Sequence, residues 1–182
     1  MGFDSTVLPD GVLLVVSALA LSAAWIDLTT HRIPNALFVL GSVAGLGLAV
    51  WSGGIDGGLL SLAGFFIGLG LLLPSYLLRM TGGGDVKLVA AIGSLLGPRL
   101  VLYAFVLYVL AALVWAVAYG IYAWAAWGAA LPFRRYRCMM RTFVTTGRVA
   151  YVRPQPGETM ATRVPMAPAI AFGAIAAPLW FG

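Results

Sequence analysis

The chain has 182 residues, 62% of them hydrophobic and only 9% charged, with a mean hydropathy of +0.98. Eleven basic and six acidic residues are too few to cover a soluble globule of this length, which excludes an ordinary soluble domain and implies an all-α, polytopic membrane protein. One cysteine (Cys138) and one histidine (His31) exclude a disulfide framework and a Cys/His metal cluster.

Residues 1–10 carry two acids and no Lys or Arg, and the apolar run 11–26 follows. Ala18-Leu19-Ala20 resembles a signal-peptide cleavage site, but no basic region precedes it, so the run is expected to be the first transmembrane helix. It closes on Asp27, which opens the stretch Asp27-Leu-Thr-Thr-His31-Arg32-Ile33-Pro34-Asn35. Pro34 suits the first turn of a helix, because its missing N–H would have no partner there. A second helix is therefore expected over 34–51, a glycine-rich reversal over 52–58, and a third helix over 59–78 with a kink at Pro74. Next comes Gly82-Gly83-Gly84-Asp85-Val86-Lys87, which leads into a short apolar segment, 86–97, and Pro98-Arg99. A fifth helix over 100–127 ends in Trp115, Tyr119, Tyr122, Trp124 and Trp127, the composition of an interfacial belt. A basic segment over 132–163 separates it from a sixth helix, 164–180, with a loop expected at 154–158.

The fourth segment, about 12 residues or roughly 18 Å long, is short against a hydrocarbon core of about 30 Å. Charge decides whether it crosses. With six crossings, ten of the eleven basic residues share one side and only Arg99 lies opposite. The positive-inside rule then puts that side in the cytoplasm, both termini outside, and both Asp27 and Asp85 at the cytoplasmic edge. It also removes the case for nucleic acid, since the net charge of +5 is concentrated at one membrane face.

Ionisable groups at a membrane are costly and point to function. Asp85 has an ordinary alternative as a helix N-cap, and Asp27 as a carboxylate leaving the membrane beside Arg32. Neither explains three consecutive glycines, whose entropic cost calls for close backbone approach or unusual dihedrals. A protease that takes its substrate as an extended strand needs such a place. The rival is a small transporter or channel with the two aspartates on a proton or cation path. It predicts polar groups spread through several helices, yet away from one edge these helices are nearly free of charge.

Gly82-x-Gly84-Asp85 resembles the GxGD signature of intramembrane aspartic proteases. Together with Asp27-x6-Pro34-Asn35, Val86-Lys87-Leu88 and the 164–173 stretch Val-Pro-Met-Ala-Pro-Ala-Ile-Ala-Phe-Gly, it resembles the type IV prepilin peptidases. The resemblance implies a single peptidase domain over 1–182. Its activity would be an aspartic endopeptidase of the inner membrane that removes the short basic leader of prepilins at the cytoplasmic face, for pilus assembly. The catalytic pair maps onto Asp27 and Asp85, with Gly82, Gly83, Gly84, Pro34, Asn35 and Lys87 shaping the site or binding substrate. His31 is read as an interface residue. The implied partners are the prepilin, with its leader and hydrophobic N-terminal helix, and the lipid bilayer.

The paired CxxC motifs of the long, bifunctional members have no counterpart here. The chain is closer to the compact peptidases of Flp/Tad-type pili or the archaeal preflagellin peptidases. No zinc, S-adenosylmethionine or other cofactor is expected, and no methyltransferase activity. Arg134, Arg137 and Arg141 fall on one helical stripe beside Phe133, Tyr136, Met140, Phe143 and Val144, the pattern of an interfacial helix on anionic lipid. The reading is a topology anchor, with contact to an acidic residue after the cleavage site as the alternative.

Overall fold

The structure is a computed structural model that describes residues 10–31, 33–78, 81–127, 133–147 and 165–182. Regular structure among them is entirely α-helical: α1 (Asp10–Thr30), α2 (Asn35–Leu77), α3 (Gly83–Trp127), α4 (Phe133–Thr146) and α5 (Ala167–Phe181). Composition requires this, because apolar surroundings offer backbone N–H and C=O groups no partner and a helix satisfies them within one segment. α1, α2 and α3 are each long and apolar enough to cross a membrane, and α5 is apolar but shorter.

α1 runs a turn beyond the expected 11–26, so Asp27 lies inside the helix and not at its exit. Thr29 and Thr30 are helical and donate their hydroxyls to carbonyls one turn back, Thr29 to Trp25 at 3.0 Å and Thr30 to Ile26 at 2.8 Å. The helix stops at His31, whose N–H donates to the Asp27 carbonyl at 2.9 Å and whose φ is 54°. That left-handed position is one glycine usually fills at a helix C-terminus. His31→Gly is therefore expected to leave stability unchanged or raise it by up to about 1 kcal/mol, relief of the left-handed strain being set against a freer unfolded chain. Thermal unfolding in detergent measures this.

α2 and α3 are each interrupted at a single glycine. Gly54 takes φ 61° and ψ −144°. In a continuous helix Phe38 and Phe65 would be about 40 Å apart, yet their ring centroids are 6.0 Å apart. Residues 35–53 and 55–77 are therefore antiparallel arms, and the reversal expected over 52–58 is confined to Gly54. Gly97, with φ 78° and ψ 178°, does the same in α3, dividing it into arms 83–96 and 98–127. Pro98 then starts the second arm, where a fixed φ and a missing N–H cost nothing. Pro34 is the N-cap of α2 and not its first residue, and Pro74 keeps helical dihedrals, so the break in α2 falls at Gly54.

The chain forms two compact units, Met1–Ala112 with Pro165–Gly182, and Leu113–Val164. At the heart of the first unit is the short arm 83–96, in which Val86 and every residue from 88 to 96 are buried. Two glycine pairs spaced four apart make room for it. A Cβ on Gly45 would fall 2.8 Å from the Ser94 carbonyl carbon, and one on Gly68 2.6 Å from the Val89 carbonyl oxygen. Gly64 and Gly93 meet backbone to backbone, each blocking a Cβ on the other. Gly41-x3-Gly45 and Gly64-x3-Gly68 thus place one small-residue seam on each arm of α2, the means by which helices approach closely in lipid. Ser61 ties the seam, its hydroxyl donating to the Ser94 carbonyl at 2.8 Å.

α5 packs against α1 through small residues, with Ala20, Ala23, Ala167, Ala171 and Ala174 all buried. Gly173 allows α5 equally close to the second arm of α3, since a Cβ there would fall 2.8 Å from the Tyr108 nitrogen. The second unit holds the end of α3, with Trp115, Tyr122 and Trp124 exposed, and α4. α4 exposes Arg137 and Arg141 as well as Met140, Phe143 and Val144. Arg32, Arg79 and the expected loop at 154–158 lie outside the described residues.

Candidate active site

The two aspartates, 58 positions apart in sequence, come together at one end of the first unit. Asp27 sits in the last turn of α1 and is 8% exposed. Asp85 is the third residue of α3, part-buried, and the two carboxylates are close enough for their charges to interact. Asp85 is therefore not the N-cap of α3. It occupies the third helical position, and its carboxylate reaches back to accept the backbone N–H of Gly82, half of a capping box. The Asp85 N–H in turn donates to the Gly82 carbonyl at 3.2 Å.

Each of the other residues expected to shape the site lies at this same end. Lys87 donates from Nζ to Asn35 Oδ1 at 2.8 Å, tying the start of α2 to the first turn of α3. Pro34 caps α2, and its neighbour Ile33 packs on Gly84, where a Cβ would approach the Ile33 Cβ to 3.1 Å. Gly83 faces the ring of Tyr76, 3.3 Å from where its Cβ would be. Gly83 and Gly84 are the first two residues of α3, with ordinary helical dihedrals, and Gly82 precedes them exposed. Close approach, not unusual dihedrals, is what the glycines at 83 and 84 supply. His31 is exposed at the end of α1, where its conformation terminates the helix.

Three further groups near the two aspartates and Gly82 escaped the sequence reading. The first is the backbone N–H of Ala167, which donates to Asp27 Oδ2 at 3.1 Å in a buried hydrogen bond. The second is Tyr108, 6% exposed, whose hydroxyl is within electrostatic range of Asp85. Tyr108 also walls a small apolar crevice with Val89, Ile92, Phe105 and Ile170. The third is Thr81, whose hydroxyl is buried without a hydrogen-bond partner among the described residues, one position before Gly82. Nothing in a single sequence marks a backbone amide as a ligand. The glycine seams that bring these helices together did carry a readable signal, the paired GxxxG spacings.

Chemically, two carboxyl groups at one site with mobile protons can share a single proton, one acting as acid and the other as base. Each is held by a backbone amide, Asp85 by Gly82 and Asp27 by Ala167. Comparison with curated proteins and with solved structures gives no match. The profile of the type IV leader peptidase family matches residues 14–117, a span that contains both aspartates, the glycine seams and Tyr108. With more than half of its length matched, including both carboxylates of the site, the chain belongs to the type IV leader peptidase family.

Proposed function

We propose that this peptidase is an aspartic endopeptidase of the inner membrane that removes the short basic leader of Flp/Tad-type prepilins at the cytoplasmic face, for pilus assembly. The observation that carries the reading is the meeting of Asp27 and Asp85, from two different helices, at one end of a helical unit. The ionised member of the pair takes a proton from water as the oxygen attacks the scissile carbonyl carbon, and the protonated member donates to the carbonyl oxygen. Collapse of the tetrahedral intermediate breaks the C–N bond, and the proton taken from water passes to the leaving amine. The substrate's hydrophobic helix stays in the bilayer while its leader reaches the site, and the exposed Gly82 leaves backbone space beside Asp85 for an extended segment.

In this reading the chain crosses the membrane six times, through α1, the two arms of α2, the two arms of α3, and α5, with both termini outside. α4 then lies on the cytoplasmic leaflet, with exposed Arg137 and Arg141 toward anionic headgroups and exposed Met140 and Phe143 toward the acyl boundary. Impermeant thiol labelling tests the topology. Native Cys138 is exposed on α4 and should react from the cytoplasmic side. In a Cys138→Ser background, Gly82→Cys should react from that side and Ile55→Cys, beside the Gly54 reversal, only from outside. Labelling of positions 82 and 55 from one side would end the six-span arrangement.

Leader removal itself is tested by reconstituting the purified protein with a candidate Flp-type prepilin in vesicles and sequencing the new N-terminus. Cleavage at the boundary between leader and hydrophobic helix is the expected result. An intact prepilin across several Flp-type substrates, with another prepilin class processed, would overturn the substrate assignment while leaving the peptidase in place.

A further inference from the structure

α5 begins without a cap of its own. Met166, in the N-cap position, has φ −99° and ψ −15° and makes no side-chain cap hydrogen bond to the first turn. The acceptor comes from 140 residues away, as Asp27 Oδ2 takes the N–H of Ala167 at 3.1 Å. Both partners are enclosed, Asp27 at 8% exposure and Ala167 at 0%, so water does not compete for the bond. The alanine-on-alanine packing of α1 against α5 fixes the two helices on either side of it. One oxygen of the carboxylate is thereby committed and its plane oriented, which leaves Oδ1 to act on water or on the scissile carbonyl.

We propose that the Ala167 backbone amide is a positioning group for Asp27, so that the last helix of the chain sets the geometry of the catalytic pair. Residue 167 lies outside the 14–117 span of the family match. The proposal rests on the reading of Asp27 as catalytic. A carboxylate that rotates about its side-chain torsions samples many orientations, and a misplacement of about 1 Å at a reacting group can lower turnover about a hundredfold. The Gly82 N–H does for Asp85 what the Ala167 N–H does for Asp27, so each member of the pair has one amide holding it.

The test replaces residue 167 by its α-hydroxy analogue, through suppression during cell-free synthesis of the full chain into nanodiscs. The resulting ester removes one N–H while keeping the side chain. An ester at residue 169 is the comparator, because the Ala169 N–H donates to the Met166 carbonyl at 3.1 Å within the same turn and does not touch Asp27. The 167 ester is expected to lower kcat for leader cleavage by about ten- to a hundredfold with KM within about twofold, while the 169 ester leaves kcat within about threefold. Equal effects of the two esters, an effect on KM alone, or loss of the folded state with the 167 ester alone would each overturn the positioning role. Asp27→Asn, measured alongside, separates the two readings. Cleavage surviving in that variant would remove the catalytic assignment itself, whereas cleavage lost there but indifferent to the 167 ester would remove only the positioning.

Discussion

Asp27→Asn and Asp85→Asn are each expected to abolish leader removal, with losses on the order of a thousandfold or more in kcat. General acid–base groups contribute about 10² to 10⁴ individually, and this mechanism asks both carboxyls to act in the same step. For the same reason the double variant should be little worse than either single one. Asparagine keeps the shape and an acceptor oxygen, so at position 27 it can still take the Ala167 N–H, and at position 85 it can still reach Gly82. Membrane insertion and abundance should accordingly stay near wild type. Co-expression with a prepilin, followed by immunoblotting for the shortened pilin and for the peptidase, measures both quantities together. Full processing by either single variant would end the aspartic assignment, and so would activity in the double variant.

The second large effect is expected in the seam and not at the chemistry. Gly64→Val should destabilise the protein by about 3 kcal/mol or more, because its side chain would occupy the space of the Gly93 carbonyl and the Gly97 backbone. Backbone cannot rotate away as a side-chain tip can, so the second arm of α2 must separate from the short arm of α3. Separation would carry Asp85 and its first turn with it, and activity should fall together with stability. Gly70→Val is the matched control, since Gly70 is on the same arm and a Cβ there meets nothing within 4 Å. Thermal unfolding in detergent should show a clear loss for position 64 and little for position 70. Equal behaviour of the two variants would mean that the helices do not approach as closely as the seam requires.

What the sequence determined by itself was the all-helical, apolar class, and it singled out Asp27 and Asp85 as candidates among few charges. Each follows from short-range physics. An apolar chain must close its own backbone hydrogen bonds, a helix is the local way to do so, and a carboxylate among so few charges stands out. The reversals at Gly54 and Gly97 were legible for the same reason, because glycine and proline punctuate locally, although the first was expected to take seven residues and takes one. The continuation of α1 through Asp27 to Thr30, where two threonine hydroxyls donate to carbonyls of their own helix, was not legible, because β-branched residues at a helix end leave the choice between helix and turn open.

Tertiary structure alone decided how the ends of the helices meet. That Asp27 is held by an amide 140 residues away, that Lys87 reaches Asn35, and that Tyr108 sits in range of Asp85 are all consequences of helices packing side by side. Periodicity fixes which face of a helix is small or apolar but not which neighbour will lie against it. The glycines show the division most clearly. Their spacings at 41, 45, 64 and 68 are sequence facts, while the fold sets Gly45, Gly64 and Gly68 against the backbone of one short buried arm and Gly41 against the side chains of Leu19 and Ala91.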